Sequence, residues 1–292
     1  MLENFADRLL EAIERKGSPV CVGLDPVFDR LPAPLKTLGP VEAVETFCGR
    51  VLQIVAPLVP AVKIQSAYFE ALGAAGVGVY FRMMAQARKL GLIAIGDVKR
   101  NDIGPTAEAY ARGHLAGPDA ADAITVNGYL GSDGIEPFIA AAAAGGAGIF
   151  VLVRTSNPSA PQVQDIRDEQ KTPVYDHMAR LVAKLGGSDG RVGRRGYSCV
   201  GAVVGATYPD EARALRQVMP QQIVLIPGYG AQGASAADCA ASFKADGTGG
   251  IVNASRSVIF AYQKNTAGAW EDAVGYAATE FAKEIAEAVK RK

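Results

Sequence analysis

Histidine is nearly missing from this chain: His114 and His177 are the only two in 292 residues. A metal site built on several imidazoles is therefore excluded, and a triad that uses histidine as base is disfavoured. Both histidines are expected on exposed helix faces. Cysteine is sparse too. Cys21, Cys48, Cys199 and Cys239 lie far apart and form no CxxC pair. That spacing argues against a disulfide framework and a thiolate metal site, and suits free, mostly buried thiols in a reducing, cytoplasmic setting. Net charge is zero, with 30 basic residues against 30 acidic ones. Neither nucleic acid nor an acidic membrane surface is indicated as a partner. The one arginine-rich stretch, Arg191 to Arg195, is short and glycine-rich and reads as a solvated loop. Long hydrophobic runs are absent. The run from Ile139 to Val153 is too short to span a bilayer and is split by Gly145, Gly146 and Gly148. The first residues give an amphipathic helix at about 2–16, with Phe5, Leu9, Leu10 and Ile13 on one face, rather than a signal peptide.

What is present is regular alternation. Short apolar runs recur as candidate strands: Pro19–Asp25, Ala61–Gln65, a central run from Leu92, Asp122–Asn127, Ala147–Thr155, Val200–Ala206, Ile223–Pro227 and Gly249–Asn253. Helical segments separate them, near Val41–Leu58, Ala67–Leu90, Thr106–Leu115, Gly134–Ala144, from Val174, and at Tyr208–Met219, with a long final helix. A polar stretch covers Ser159–Thr172, and Gly186–Tyr197 reads as a mobile connection. No linker divides the chain. Strands alternating with helices imply parallel pairing with right-handed crossovers. Eight such units fit a single-domain α/β (β/α)₈ (TIM) barrel over residues 1–292, since that fold usually takes about 250 residues. An open doubly wound sheet is the runner-up. Polar residues close nearly every strand, among them Asp25, Lys63, Asp97, Lys99, Asn127, Ser156 and Asn253. A barrel gathers such ends into one mouth, whereas an open sheet spreads them along a line.

The chemistry-bearing stretch is Gly91–Asp102, GLIAIGDVKRND. A continuous apolar run with no helical period is a strand buried on both faces. It ends in Asp97 and Lys99, two apart and so on the same strand face, with Asp102 three residues on. A lysine between carboxylates stays protonated. It suits proton donation better than Schiff-base attack, which needs a depressed pKa. A plain salt bridge past a strand end is the alternative. Asp25 and Lys63 are either a cross-strand ion pair or ligands for sugar hydroxyls. After the last two strands, Gly228, Gly230 and Gly233 allow close approach of a ligand to the backbone. Ser255, Arg256 and Ser257 open a helix. Those two loops are the usual phosphate site of a barrel. Together these features point to proton delivery to a carbanion on a phosphorylated substrate.

DVKRND resembles the Asp-x-Lys-x-x-Asp motif of the orotidine 5′-phosphate decarboxylase family. The resemblance runs through CVGLD, AVKIQ, GDVKRNDI, ITVNGYLG, VRTSNP, PGYGAQG and NASRS, and it is similar in length to the longer bacterial branch. It implies a cofactor-independent decarboxylation of orotidine 5′-phosphate to UMP, with no metal. By resemblance, Asp25 and Lys63 contact the ribose, Asp97 sits near the leaving carboxylate, and Lys99 protonates carbon 6. Ser156 reads the pyrimidine edge, and Gln232 and Arg256 hold the phosphate. Asp102 and Thr106 enter the partner's site in a homodimer. The rival readings are a metal-assisted sugar-phosphate decarboxylase or aldolase-type lyase of the same superfamily, a Schiff-base aldolase using Lys63 or Lys99, and a non-catalytic nucleotide-binding barrel.

Overall fold

The computed structural model describes residues 2–230, 233–264 and 268–290. Eight parallel strands close on themselves in chain order: β1 (Val20–Leu24), β2 (Ala61–Gln65), β3 (Ile93–Arg100), β4 (Ala123–Val126), β5 (Gly148–Arg154), β6 (Val200–Val204), β7 (Val224–Ile226) and β8 (Gly250–Ala254). The barrel closes where β1 pairs with β8, Val20 opposite Val252 and Cys21 opposite Asn253. Every residue of β1, β4, β6, β7 and β8 is buried. The strands are covered on both faces, which is why they read as unbroken apolar runs rather than as alternation. The expected (β/α)₈ barrel is therefore the fold found.

The outer layer follows the expected order with informative differences. The helix anticipated over Ala67–Leu90 is two helices, α3 (Ser66–Glu70) and α4 (Gly73–Lys89). Gly73, at φ +70°, turns the chain between them in a left-handed conformation that glycine adopts without steric cost. Strand β3 continues through Arg100, so Asp97 and Lys99 lie on the strand near its C-terminal end, as expected. His114, on α5 (Gly104–Leu115), is half-buried rather than exposed. Its ring stacks on Phe81 at 5.9 Å. Burial, with Arg100 adding to it, pushes its pKa down to about 4. His177 is exposed, as expected.

The N-terminal helix α1 (Phe5–Lys16) lies against the N-terminal ends of β4 and β5, where Arg8 reaches Asp122 and the Gly146 carbonyl. Asn4 caps it by accepting the Ala6 N–H at 2.8 Å, and Gly17 ends it at φ +70°. Phe5 packs edge-on against Phe150 at 5.7 Å. It also fills the space beside Gly148, where a Cβ would lie 2.2 Å from the Phe5 ring. Asp7 is buried, and its two oxygens accept the backbone N–H groups of Arg194 and Arg195, both at 2.9 Å. The Arg191–Arg195 stretch is thus solvated at Arg194 and Arg195, as expected, but pinned through its backbone rather than loose. Arg191 adds an ion pair to Glu136 at 2.8 Å, and its carbonyl accepts from Asn4 at 3.0 Å. A buried carboxylate needs such donors, and this loop supplies them.

Candidate active site

The C-terminal strand ends surround a cavity of about 460 Å³. Asp25, Lys63, Asp97, Lys99, Ser156 and Arg256 all line it, brought together from β1, β2, β3, the β5 end and the β8 end. Gln232 lies outside the described residues. Asp102 and Thr106 do not line this cavity. Asp102 accepts the N–H of Ile103 at 2.8 Å, and Thr106 is exposed in the first turn of α5. Around them Ile103, Tyr129 and Leu130 expose apolar side chains.

Asp97 is the centre of the cluster. It is 7% exposed, and each of its oxygens accepts two hydrogen bonds. Oδ1 takes Lys99 Nζ at 2.5 Å and Thr125 Oγ1 at 3.0 Å. Oδ2 takes Lys63 Nζ at 2.6 Å and Gln65 Nε2 at 2.9 Å. Burial alone would raise its pKa. The ammonium groups of Lys63 and Lys99 outweigh that, and hold the carboxyl well below the ordinary aspartate range. For buried Lys63, desolvation favours the neutral amine, but Asp97 and Asp25 together outweigh it and hold the group charged. Asp25 stands 3.9 Å from Lys63. A protonated Lys63 is no Schiff-base nucleophile.

Lys99 differs from Lys63 in being nearly half exposed, at 47% of its side chain, and open to the cavity. Its backbone is unusual. Between the pairings Gly96–Ile124 and Arg100–Val126, β3 has three residues, Asp97, Val98 and Lys99, where β4 has the single residue Thr125. Lys99 sits in this bulge at φ +44°. A left-handed conformation costs a non-glycine residue roughly 1–2 kcal/mol, and bulges re-aim side chains beside active sites. Lys99 and Asp97 share a face as expected, but the bulge sets the angle.

The β7 and β8 ends add Gly228, Asn253, Ser255 and Arg256 to the wall. Among the described residues, Asn253 Oδ1 in this wall and Asp25 Oδ1 beside Lys63 are buried without a hydrogen-bond partner. Arg256 begins a short helix, α11 (Arg256–Ile259). Gly23 admits this loop, since a Cβ there would lie 1.9 Å from Ser255 Oγ. Beside Ser156, the fully buried Arg154 sits between the rings of Tyr208 and Tyr175, at 4.1 and 4.9 Å. It pairs with Glu211 and Asp165, both at 2.7 Å. Gln164, in α7 (Pro161–Gln164), holds the Thr155 N–H at 3.0 Å and its hydroxyl at 2.7 Å. The polar stretch after β5 is therefore docked onto the cavity rim rather than loose.

Sequence reasoning missed Gln65, Thr125 and Arg154. For Thr125 a signal existed: a lone hydroxyl between Ile124 and Val126 in a buried strand costs free energy unless it is bonded. Among the described residues, no three His, Cys, Asp or Glu side chains group as metal ligands, and no helix is long and apolar enough to cross a membrane.

A closed barrel whose C-terminal mouth gathers two ammonium groups around one buried carboxylate, beside unpaired acceptors and a helix-opening arginine, defines a class: (β/α)₈ proteins that take small anionic molecules at the strand ends. The chain belongs to the orotidine 5′-phosphate decarboxylase / HUMPS family, whose model matches residues 18–271. It is 45% identical over 301 residues to the orotidine 5′-phosphate decarboxylase of Rhodopirellula baltica, covering 97% of this chain and 99% of that one. To the Deinococcus radiodurans enzyme of the same name it is 42% identical over 264 residues, covering 89% and 91%. The structure of Leishmania donovani OMP decarboxylase superposes with a TM-score of 0.77 at 29% identity, covering 98% of each chain.

Proposed function

We propose that the chain, acting as one catalytic domain, decarboxylates orotidine 5′-phosphate to UMP and CO₂. One observation carries the reading: a half-exposed ammonium, Lys99, is held 2.5 Å from a buried, charged aspartate at the cavity wall, in a chain 45% identical to a decarboxylase over nearly its whole length. In this reading Arg256, with Gln232, grips the phosphate. Asp25 and Lys63 take the ribose hydroxyls, and Ser156 reads the pyrimidine edge. The bond from carbon 6 to the carboxylate breaks, its electron pair stays on carbon 6, and CO₂ leaves. Lys99 gives that carbon a proton and recovers one from solvent. The fixed charges of Lys63, Asp97 and Lys99 lower the barrier because they are already oriented where the carbanion forms. No cofactor or metal enters this scheme.

The same reading makes the protein a homodimer with a shared site. Asp102 and Thr106 lie off their own cavity beside exposed Ile103, Tyr129 and Leu130, which supports their reaching a partner's site. Four buried free thiols support a reducing, cytoplasmic setting. The test is loss of substrate ultraviolet absorbance in EDTA-treated protein. Full turnover is expected, whereas turnover that appears only with added Mg²⁺ would favour the sugar-phosphate lyase reading. Mixing inactive Lys99→Ala with inactive Asp102→Ala under subunit exchange should then restore about a quarter of wild-type activity. Half the dimers are mixed at random exchange, each with one intact site. No recovery despite exchange would mean that each subunit uses its own Asp102.

A further inference from the structure

We infer that Thr125 is a positioning residue for the proton donor, holding both ends of Lys99 through one hydroxyl. The inference rests on the decarboxylase reading above and adds a residue to it. Thr125 is 2% exposed on β4 and faces the bulge in β3. Its Oγ1 accepts the backbone N–H of Lys99 at 2.9 Å. The same oxygen donates its proton to Asp97 Oδ1 at 3.0 Å, and that carboxylate oxygen in turn accepts Lys99 Nζ at 2.5 Å. The contacts form a closed ring: Lys99 backbone, Thr125 hydroxyl, Asp97 carboxylate, Lys99 ammonium. With the Lys99 N–H occupying the acceptor side of the oxygen, the hydroxyl proton is directed at Asp97. One oxygen thus fixes the backbone from which the lysine leaves the strand and the carboxylate on which its ammonium rests.

The surrounding geometry explains why such a clamp is needed. Lys99 is one of two non-glycine residues at positive φ among the described residues, and such a conformation persists only where neighbours over-determine it. On the far side, Arg100 supplies the second clamp. Its guanidinium donates to the Val98 carbonyl at 2.8 Å and to Glu70 at 2.5 Å. Thr125 is the inner clamp and the only one of the two that also touches Asp97. Packing does not require the hydroxyl, because valine has the same branched shape. A valine would leave the Lys99 N–H without its acceptor and Asp97 with one bond fewer.

The test compares kcat and KM for orotidine 5′-phosphate in wild type, Thr125→Val and Thr125→Ser, with kcat expressed per UMP-binding site. Thr125→Val is expected to lower kcat per site about 30- to 100-fold, the scale of an ångström-sized misplacement of a reacting group. Thr125 lines the cavity, but its hydroxyl bonds go to Lys99 and Asp97, so KM should change less than about threefold, and Thr125→Ser should recover to within about fivefold of wild type. A merely structural role would reduce the number of UMP-binding sites and leave kcat per site unchanged; that result would overturn the inference. If Thr125→Val does not fold, Thr125→Ser against Thr125→Ala makes the same one-oxygen comparison, and equal kcat per site in those two would overturn it. Wild-type turnover with loss only in Lys99→Ala would leave the decarboxylase reading standing and this inference refuted. A wild-type chain without turnover would refute both.

Discussion

At the N-terminal mouth of the barrel, Asp7 and Asp122 are buried as deeply as Asp97 is at the C-terminal mouth. Asp7 is held by two backbone N–H groups. Asp122 is held by the Ala94 N–H at 2.9 Å and Arg8 at 2.7 Å. Three of these four donors are backbone groups, whose positions the chain itself fixes. Asp97 is held mainly by two lysines, one sealed in and one open to a cavity of about 460 Å³, whose wall also holds the unpartnered Asn253 Oδ1. The same residue type thus has opposite uses. Where most of the donors are backbone groups, a buried carboxylate joins segments far apart in sequence. Where the donors are flexible ammonium groups beside open volume, it holds those groups in place and, in the proposed mechanism, aims the proton of one of them.

Breaking the C-terminal side should cost activity and little else. Lys99→Ala should lower kcat by 10³-fold or more, the upper range for loss of a positioned acid. UMP binding should persist, because Arg256 is untouched. Near-wild-type turnover in this variant would remove Lys99 as the donor. Breaking the N-terminal side should do the reverse. Phe5→Ala should destabilise the fold by about 3–5 kcal/mol through lost burial and the cavity left behind. Its kcat/KM, measured below the unfolding transition, should match wild type. A parallel fall in kcat/KM would couple the two mouths.

A smaller effect sharpens the comparison within the C-terminal mouth itself. Arg256→Ala should lose roughly 2–3 kcal/mol of transition-state stabilisation, about 30- to 150-fold in kcat/KM. Orotidine lacking its phosphate should be almost unaffected. Equal losses on both substrates would mean that Arg256 supports the fold or the pyrimidine side.

The division between what was legible in the sequence and what was not follows the same physics. Strands buried on both faces announce themselves as apolar runs, and their polar ends mark the mouth, so the barrel and six residues of its cavity wall were readable from order alone. The reading stopped wherever a role depends on a partner distant in the chain. The three-against-one bulge opposite Thr125 is a matter of register, which the sequence of either strand leaves open. Arg154 looks like any charge at a strand end until Tyr175, Tyr208, Glu211 and Asp165 enclose it. The Arg191–Arg195 stretch looks like a loose loop because Asp7, which holds it, lies 187 residues away. Gly73 shows the local limit: a glycine within a helical pattern is tolerated or breaks it, and the turn it takes is set by α3 packing next to β3.

The most direct test sets the two mouths against each other with one chemical change. Asp7→Asn and Asp97→Asn each replace a buried carboxylate with its neutral isostere, and kcat/KM for orotidine 5′-phosphate is measured for both. Asp7→Asn should stay within about twofold of wild type while losing about 1–3 kcal/mol of stability, because a backbone donor loses its acceptor. Asp97→Asn should fall at least about 100-fold, since the charge that holds Lys63 and Lys99 is gone. If Asp97→Asn keeps its activity to within tenfold, or if Asp7→Asn falls with it, the division of labour between the two ends of the barrel is wrong.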